Sequence, residues 1–288
     1  EICGVIPLVH IKSLLFGNSL ISNGCCMGGG IAAVDDGAWQ ALDVFASSVF
    51  NDTNVDFMEF RQPARLHDDW PRRDDLYANF KRPMESDEAE NIKQIPRKQR
   101  AVVRKAIKSE LTDDFDPSID DFYDLYATSV RNLGTPVFSR KYFENLLSKF
   151  TGRCDILTIR QDGRPISSVL SFYFRDAVMP YYTGSIPEAR RLGANDFMYW
   201  RLMRRAVERE FSIFDFGRSK IATGPFSFKK NWGFEPEEIV HEFKLKDGAE
   251  LPNLNPTNPK YKLFIEMWKR LPVPVANIIG PHIVKNIG

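Results

Sequence analysis

One order of elements occurs twice in this chain, and that repeat limits the fold to a duplicated architecture. In the first half, GVIPLVHIKSLLFGNSLIS reads as two strands, Ile2–Val9 and Lys12–Ser22, around the turn signal Phe16-Gly17-Asn18-Ser19. The glycine-rich turn Met27-Gly28-Gly29-Gly30 leads to a helix over Ala38–Phe50 and then to the strand VDFMEFR. In the second half, GRPISSVLSFYFRDAVMPYYTGS leads through Arg191-Leu192-Gly193 to a helix over Asn195–Arg209 and then to SIFDFGR. The strand endings Phe57-Met58-Glu59-Phe60-Arg61 and Phe214-Asp215-Phe216-Gly217-Arg218 are versions of one theme. A repeat this long is a domain duplication rather than a solenoid.

The remaining segments sort around that repeat. PMESDEAENIKQIPRKQRAVVRKAIKSE begins acidic and turns basic, with Pro96 suited to the first turn of a helix ending near Lys108. Ser118 and Ser139 cap helices over Ile119–Leu133 and Arg140–Phe150. Gly224–Trp232 reads as a short helix and Glu237–Leu245 as the last strand. We therefore expect four regions: residues 1–82, a first domain that reads as truncated at its N-terminus because it enters directly on a strand and lacks two helices of the other copy; 83–110, a basic helical bridge; 111–250, the second domain; and 251–288, a Pro/Asn-rich connector and an amphipathic helix, Tyr261–Arg270, followed by an apolar stretch broken by Pro272, Pro274 and Pro281. That tail is expected to pack across the two domains or to sit on a membrane surface, where Trp268, Lys269 and Arg270 suit an interface.

Composition narrows the function classes. A net charge of +1 gives no global attraction to nucleic acid or membrane, so recognition must come from local clusters. The four cysteines lack CxxC spacing and the four histidines are scattered, so no metal is expected and a reducing cytoplasm is the simplest setting. No apolar run reaches transmembrane length.

The densest concentration of candidate chemistry is Arg190–Phe234. Helix starts and a cationic loop there offer anion contacts. Asp215 lies mid-strand between two aromatics that point to the other face, as a general base or a partner for Arg218. Arg218, Ser219 and Lys220 follow the strand end, where open α/β sheets place ligands. Tyr181 and Tyr182 end a strand, one on each side of the sheet, with one orienting substrate or relaying a proton. Lys229 starts as a surface helix lysine or an anion ligand, and Lys230 is its weaker neighbour on another face. Gly29 could shape an acceptor pocket or only a flexible turn. Arg97, Arg104 and Lys105 form a solvated face or track phosphates. Asn195 and Asp196 suffice as helix N-caps.

The unit order, strand–helix–helix–hairpin–helix–strand–helix–strand, resembles an N-acyltransferase domain of the GNAT superfamily, and two in tandem with a basic helix between them resemble the FemABX aminoacyl transferases. Phe228-Lys229-Lys230-Asn231-Trp232-Gly233 fits that family's F-K-x-x-[FW]-G signature. IPRKQRAVVRKAIK, GANDFMYW, FDFGRSK and GPHIVKNIG resemble the FemAB-like proteins of exosortase/PEP-CTERM exopolysaccharide loci. The resemblance covers nearly the whole chain. It implies a mixed α+β fold of tandem GNAT-like domains, each a central sheet flanked by helices. It implies a cytoplasmic acyltransferase, peripheral at the inner membrane, acting on an amine of a small-molecule or lipid-linked glycan or peptide precursor. No cofactor is tightly bound; the donor is aminoacyl-tRNA or acyl-CoA. The resemblance also implies that Lys229 meets the donor or the developing charge. Arg190 and Gly193 fit the CoA pyrophosphate loop [QR]-x-x-G-x-[GA], whereas Asn195 stands where Gly or Ala lets backbone approach phosphate. The alternatives are a CoA-dependent N-acetyltransferase of amino sugars and a non-catalytic partner of the exopolysaccharide machinery.

Overall fold

Both halves of the repeat share one four-strand arrangement, a hairpin followed by a parallel and then an antiparallel strand. A computed structural model describes residues 1–13, 17–62, 66–115, 117–252 and 259–286. Chain contacts divide the molecule into a first unit, Glu1–Ala78 with Glu238–Asn258 and His282–Gly288, and a second, Asn79–Glu237 with Pro259–Pro281.

The first half supplies β1 (Gly4–Val5), β2 (Leu8–Ser13), β3 (Gly17–Ser22), β4 (Ala32–Ala33), α1 (Asp36–Thr53), β5 (Phe57–Gln62), β6 (Arg72–Arg73) and β7 (Tyr77–Asn79). Then come β8 (Lys81–Pro83), α2 (Glu88–Gln94), α3 (Arg97–Ile107), β9 (Leu111–Asp114), α4 (Ile119–Leu133), α5 (Arg140–Lys149), β10 (Cys154–Gln161), β11 (Arg164–Phe174) and β12 (Ala177–Ser185). The chain continues through α6 (Ala189–Leu192), α7 (Ala194–Glu208), β13 (Ile213–Asp215), β14 (Ser219–Lys220), α8 (Gly224–Asn231), β15 (Glu237–Glu238), β16 (Val240–Leu245), α9 (Pro259–Trp268) and α10 (Val273–Val284).

In the first unit the sheet order is β2-β3-β5-β16-β6. The β2–β3 hairpin is antiparallel, β3 runs parallel to β5 across α1, and β16 is antiparallel to β5. In the second unit the order is β9-β10-β11-β12-β13-β8. The β11–β12 hairpin is antiparallel, β12 runs parallel to β13 across α7, and β8 is antiparallel to β13. The repeat read from sequence is therefore a repeat of topology: two mixed sheets with flanking helices. What sequence order hides is an exchange. Val240–Leu245, expected as the last strand of the second copy, pairs with β5 of the first sheet, and Lys81–Pro83 of the first half pairs with β13 of the second.

Local rules set the element ends. The Asp35 carboxylate accepts the Ala38 N–H at 2.8 Å, and the Ser139 hydroxyl accepts that of Tyr142 at 3.1 Å. Gly17–Ser19, expected in a turn, already lie in β3; Phe16 and residues 253–258 of the expected connector lie outside the described residues. An additional helix, α2, forms in the acidic stretch because Asp87 accepts the Glu90 N–H at 2.9 Å. The C-terminal apolar stretch, expected to be broken by prolines, is helical over Val273–Val284. Pro272 precedes that helix, Pro274 sits in its first turn where no N–H is needed, and Pro281 interrupts it only near its end.

The second unit's core forms on both faces of its sheet. Ile156, Leu170 and Tyr182 pack with Phe122, Tyr126 and Phe143 of α4 and α5. Alternate positions such as Ser167 meet Met198 and Asn195 on α7. The tail packs on this unit: Ile265 lies against Gly134, Gly280 against Val137, and Arg131 donates to the Lys269 carbonyl at 3.0 Å. Trp268, expected at a membrane interface, is buried and stacks on Phe264.

Candidate active site

β12 and β13 pair at only two positions, Ala177↔Ile213 and Val178↔Phe214, and β12 then runs on through Met179–Ser185 without β13 beside it. A register shift marks where the strands part: Leu170 pairs with Tyr182 while Ser171 pairs with Pro180, leaving Tyr181 as the extra residue of a β-bulge. The bulge corrects the alternation expected for the two tyrosines. Tyr181 and Tyr182 both pack against the α4–α5 cluster, with ring centroids 4.9 Å apart. Tyr182 is buried, its hydroxyl lies 2.9 Å from that of Tyr142, and burial pushes its phenol well above the ordinary range. That environment fits an anchoring phenol better than a proton relay.

Where β12 and β13 part, the F-K-x-x-W-G segment packs beside them through Tyr199. Tyr199 of α7 hydrogen-bonds Thr183 on β12, and its ring meets Phe216 at 4.8 Å, Phe228 at 5.7 Å and Trp232 at 6.3 Å. Trp232 is fully buried and donates its indole N–H to Asp196 at 2.9 Å. Gly233 adopts φ +82°, and a Cβ there would lie 2.9 Å from Pro96 Cδ and 3.0 Å from the Gln94 carbonyl. Only glycine satisfies both demands.

Lys229 is 9% exposed, so it is not the surface lysine of a solvated helix. Its Nζ donates to three successive carbonyls, Phe216 at 2.7 Å, Gly217 at 2.8 Å and Arg218 at 3.0 Å. An ammonium has three N–H donors, and all three are engaged here. Burial pushes this amine down to about 7, with the Asp215 carboxylate opposing. In this arrangement the amine braces the end of the strand. Lys230 points outward and is exposed.

Asp215 closes the same strand. It accepts the Gly217 N–H at 2.8 Å. Burial raises its carboxyl above the ordinary value, while hydrogen bonds from Gly217 and Asn79 and the charges of Lys81 and Lys229 lower it. Phe214 and Phe216, its neighbours, are buried together with rings 4.8 Å apart. Ser219 is buried, Arg218 and Lys220 are half-buried, and burial lowers the Lys220 amine. Asp215, Lys229 and Arg218–Lys220 thus converge. Asn79 at the end of β7, Phe80, and Lys81 of the exchanged β8 join them, which sequence reasoning missed because these residues precede Asp215 by a long stretch of chain.

The start of α7 departs from a phosphate loop. Ala189–Leu192 coil into α6, so the N–H groups of Arg190, Arg191 and Gly193 bond to Pro187, Glu188 and Arg190 carbonyls. Gly193 has φ +68°, and a Cβ there would lie 3.3 Å from Ala106 and Val102 of α3. Gln99 of α3 also hydrogen-bonds Asp196. α3 therefore covers the start of α7. Asn195 is not a cap: its side chain accepts from Ser167 at 2.6 Å and donates to Ser185 at 3.5 Å, while Gly193 holds the cap position. Arg190 and Arg191 are exposed. On α3, Arg97, Arg100, Arg104, Lys105 and Lys108 line an open groove of about 600 Å³.

The first unit carries the counterpart of Asp215 in Glu59, which occupies the same place in its sheet. Glu59 is 1% exposed; the Arg61 guanidinium donates to it at 3.0 and 3.2 Å, and His241 lies 2.5 Å away. Burial raises its carboxyl, but the His241 hydrogen bond and Arg61 outweigh that and hold it at about 2. This acid is neutralised inside the fold. Gly29 lies against the Ser22 carbonyl and hydroxyl, so it serves local packing at the end of β3. Among the described residues, no group of three His, Cys, Asp or Glu side chains could hold a metal ion.

Residues 90–230 match the family model described as an acetyltransferase (GNAT) domain. Among solved structures, FemX superposes with a TM-score of 0.64 at 16% identity over 85% of each chain. The C-terminal domain of a putative lysylphosphatidylglycerol synthetase from Agrobacterium fabrum gives 0.60 at 12% identity, covering 85% of this chain and 82% of that one. A tandem GNAT protein from the clavulanic acid biosynthesis pathway gives 0.51 at 11% identity, covering 82% and 76%. At these identities the likeness is one of fold. No curated protein matches in sequence. The fold is that of tandem GNAT domains, and the chain is an acyltransferase.

Proposed function

From an acyltransferase with a GNAT domain at residues 90–230, we propose a FemAB-like enzyme that moves an aminoacyl group from aminoacyl-tRNA to an amine on a cell-envelope or exopolysaccharide precursor. The observation that carries this reading is at the start of α7. There α3 packs over Gly193, α6 consumes loop N–H groups, and the cations Arg97, Arg104 and Lys105 face outward. A CoA pyrophosphate needs inward-facing N–H groups, whereas a nucleic-acid backbone is met by exposed cations. FemX and the lysylphosphatidylglycerol synthetase domain share the fold.

In this reading the precursor amine attacks the ester carbonyl of the charged tRNA. The C–N bond forms, the C–O bond to the ribose breaks, and the amine proton passes through Asp215 to the departing ribose hydroxyl. Asp215 suits the task because burial raises its basicity. Lys229 is a positioning residue that fixes the carbonyls of Phe216, Gly217 and Arg218, while Arg218, Ser219 and Lys220 hold the donor end. Tyr181 and Tyr182 shape the wall on the α4–α5 side of the parted strands. The enzyme works in the cytoplasm, at the inner membrane where its precursor is lipid-linked.

The family description, an acetyltransferase (GNAT) domain, is compatible with one other reading, an acyl-CoA-dependent N-acetyltransferase, for which we infer an amino-sugar acceptor. Paired reversal of Arg104→Glu and Lys105→Glu separates the two. Transfer from charged tRNA should fall at least about tenfold and become less salt-dependent, with the fold intact by circular dichroism. An unchanged rate from charged tRNA would refute the α3 assignment.

A further inference from the structure

The two C-terminal helices are held by one face and leave the other bare. Ile265 and Gly280 pack on Gly134 and Val137, Val273 joins the α4–α5 cluster, and Trp268 is 3% exposed. Leu263 and Met267 of α9, one turn apart, are 70% and 62% exposed. Val275, Ile278 and Ile279 of α10 fall on one helical face, with Ile278 71% exposed. Single exposed apolar residues are ordinary, but five on two consecutive helices mark a contact surface.

Charge indicates what the surface meets. Lys262, Lys269 and Arg270 surround the single acid Glu266, with Lys269 Nζ 2.9 Å from its carboxylate, and together they hold that carboxyl below its ordinary value. Two cations therefore remain in excess beside Leu263 and Met267. Val273–Pro281 carries no charged side chain. A second copy of this chain would set like charges against each other across such a face, whereas an anionic lipid surface offers both phosphates and an apolar layer.

We propose that α9 and α10 dock the enzyme on an anionic phospholipid surface, with Leu263, Met267, Val275, Ile278 and Ile279 entering the acyl boundary and Lys262 and Arg270 meeting lipid phosphates. Docking by this face names the membrane contact of the envelope-precursor reading and is measured without any acyl donor, so its failure leaves the transfer reading standing.

The test is co-sedimentation of the full chain with vesicles of phosphatidylglycerol and phosphatidylcholine, against phosphatidylcholine alone. Binding to the acidic vesicles is expected, weakened by high salt and reduced about tenfold by Ile278→Asp. Leu263→Asp provides the same reading should Ile278→Asp fail to fold, as judged by thermal midpoint. No binding to acidic vesicles at low salt, or equal binding by a folded Asp variant, would overturn the proposal. So would a dimer in solution that Ile278→Asp dissociates, since the face would then belong to a second copy.

Discussion

The Nζ of Lys229 lies 2.7 Å from the main-chain oxygen of Phe216, on the helix that follows the strand Phe216 extends. With the Gly217 and Arg218 carbonyls it forms a closed set of three charge-assisted hydrogen bonds. In the F-K-x-x-W-G segment the aromatics Phe228 and Trp232 pack against Tyr199, and Lys229 holds the backbone at the strand end.

Replacing Lys229 should consequently disturb the fold as well as turnover. A surface lysine would cost less than about 0.5 kcal/mol, but Lys229→Met leaves three carbonyls without their donor, and we expect a loss of about 2–4 kcal/mol. Urea denaturation with an unchanged m-value would measure it. A loss indistinguishable from zero would mean that the carbonyls find other partners.

Lys229 also predicts a pH dependence. Its amine is lowered from 10.5 to about 7 by burial. Between those values the unfolded chain holds a proton that the folded chain has released. Stability contributed by this group therefore rises as pH increases from about 7 toward 10.5. Lys229→Met should remove that rise, as followed by chemical denaturation across the window.

Glu59 gives the opposite limb. Its folded value, about 2 against an ordinary 4.5, lies below the unfolded one. Its contribution is complete above about 4.5 and is lost as pH falls toward 2. Glu59→Gln should flatten that acid limb. At neutral pH it should cost about 3–5 kcal/mol, because Arg61 is left buried without its counter-charge. Thermal unfolding of both proteins over an acid series would reveal it.

Gly193 sits at the contact between α3 and α7. Gly193→Ala places a Cβ in the left-handed region and 3.3 Å from Val102 and Ala106. A cost of about 1–2 kcal/mol is expected. Faster amide exchange should appear in α3 and the first turn of α7, and unchanged exchange there would separate the two helices energetically.

The duplicated topology was legible because hairpin, helix and strand each leave a local pattern, and both copies keep it. The placement of Asp215 at a strand end and of Lys229 on the following short helix was legible through one strand and one motif. The exchange of Val240–Leu245 and Lys81–Pro83 was not, since pairing partners carry no mark of which sheet takes them. Nor could alternation reveal that Tyr181 and Tyr182 share a face, because a bulge inserts one residue and resets the period. The burial of Lys229 escaped because its partners are main-chain carbonyls, which no side-chain pattern announces. Asn195 and Asp196 looked like caps, yet their actual partners, Ser167, Ser185, Gln99 and Trp232, are all distant in sequence.

The most direct test of the donor assignment is a thermal-shift titration of the purified chain with aminoacyl-tRNA and, separately, with acetyl-CoA. Ligands that bind the folded state raise the melting temperature with concentration. Saturable stabilisation by charged tRNA is expected, weakened by Arg104→Glu with Lys105→Glu, and none by acetyl-CoA. Saturable stabilisation by acetyl-CoA, with none by charged tRNA, would contradict the donor assignment.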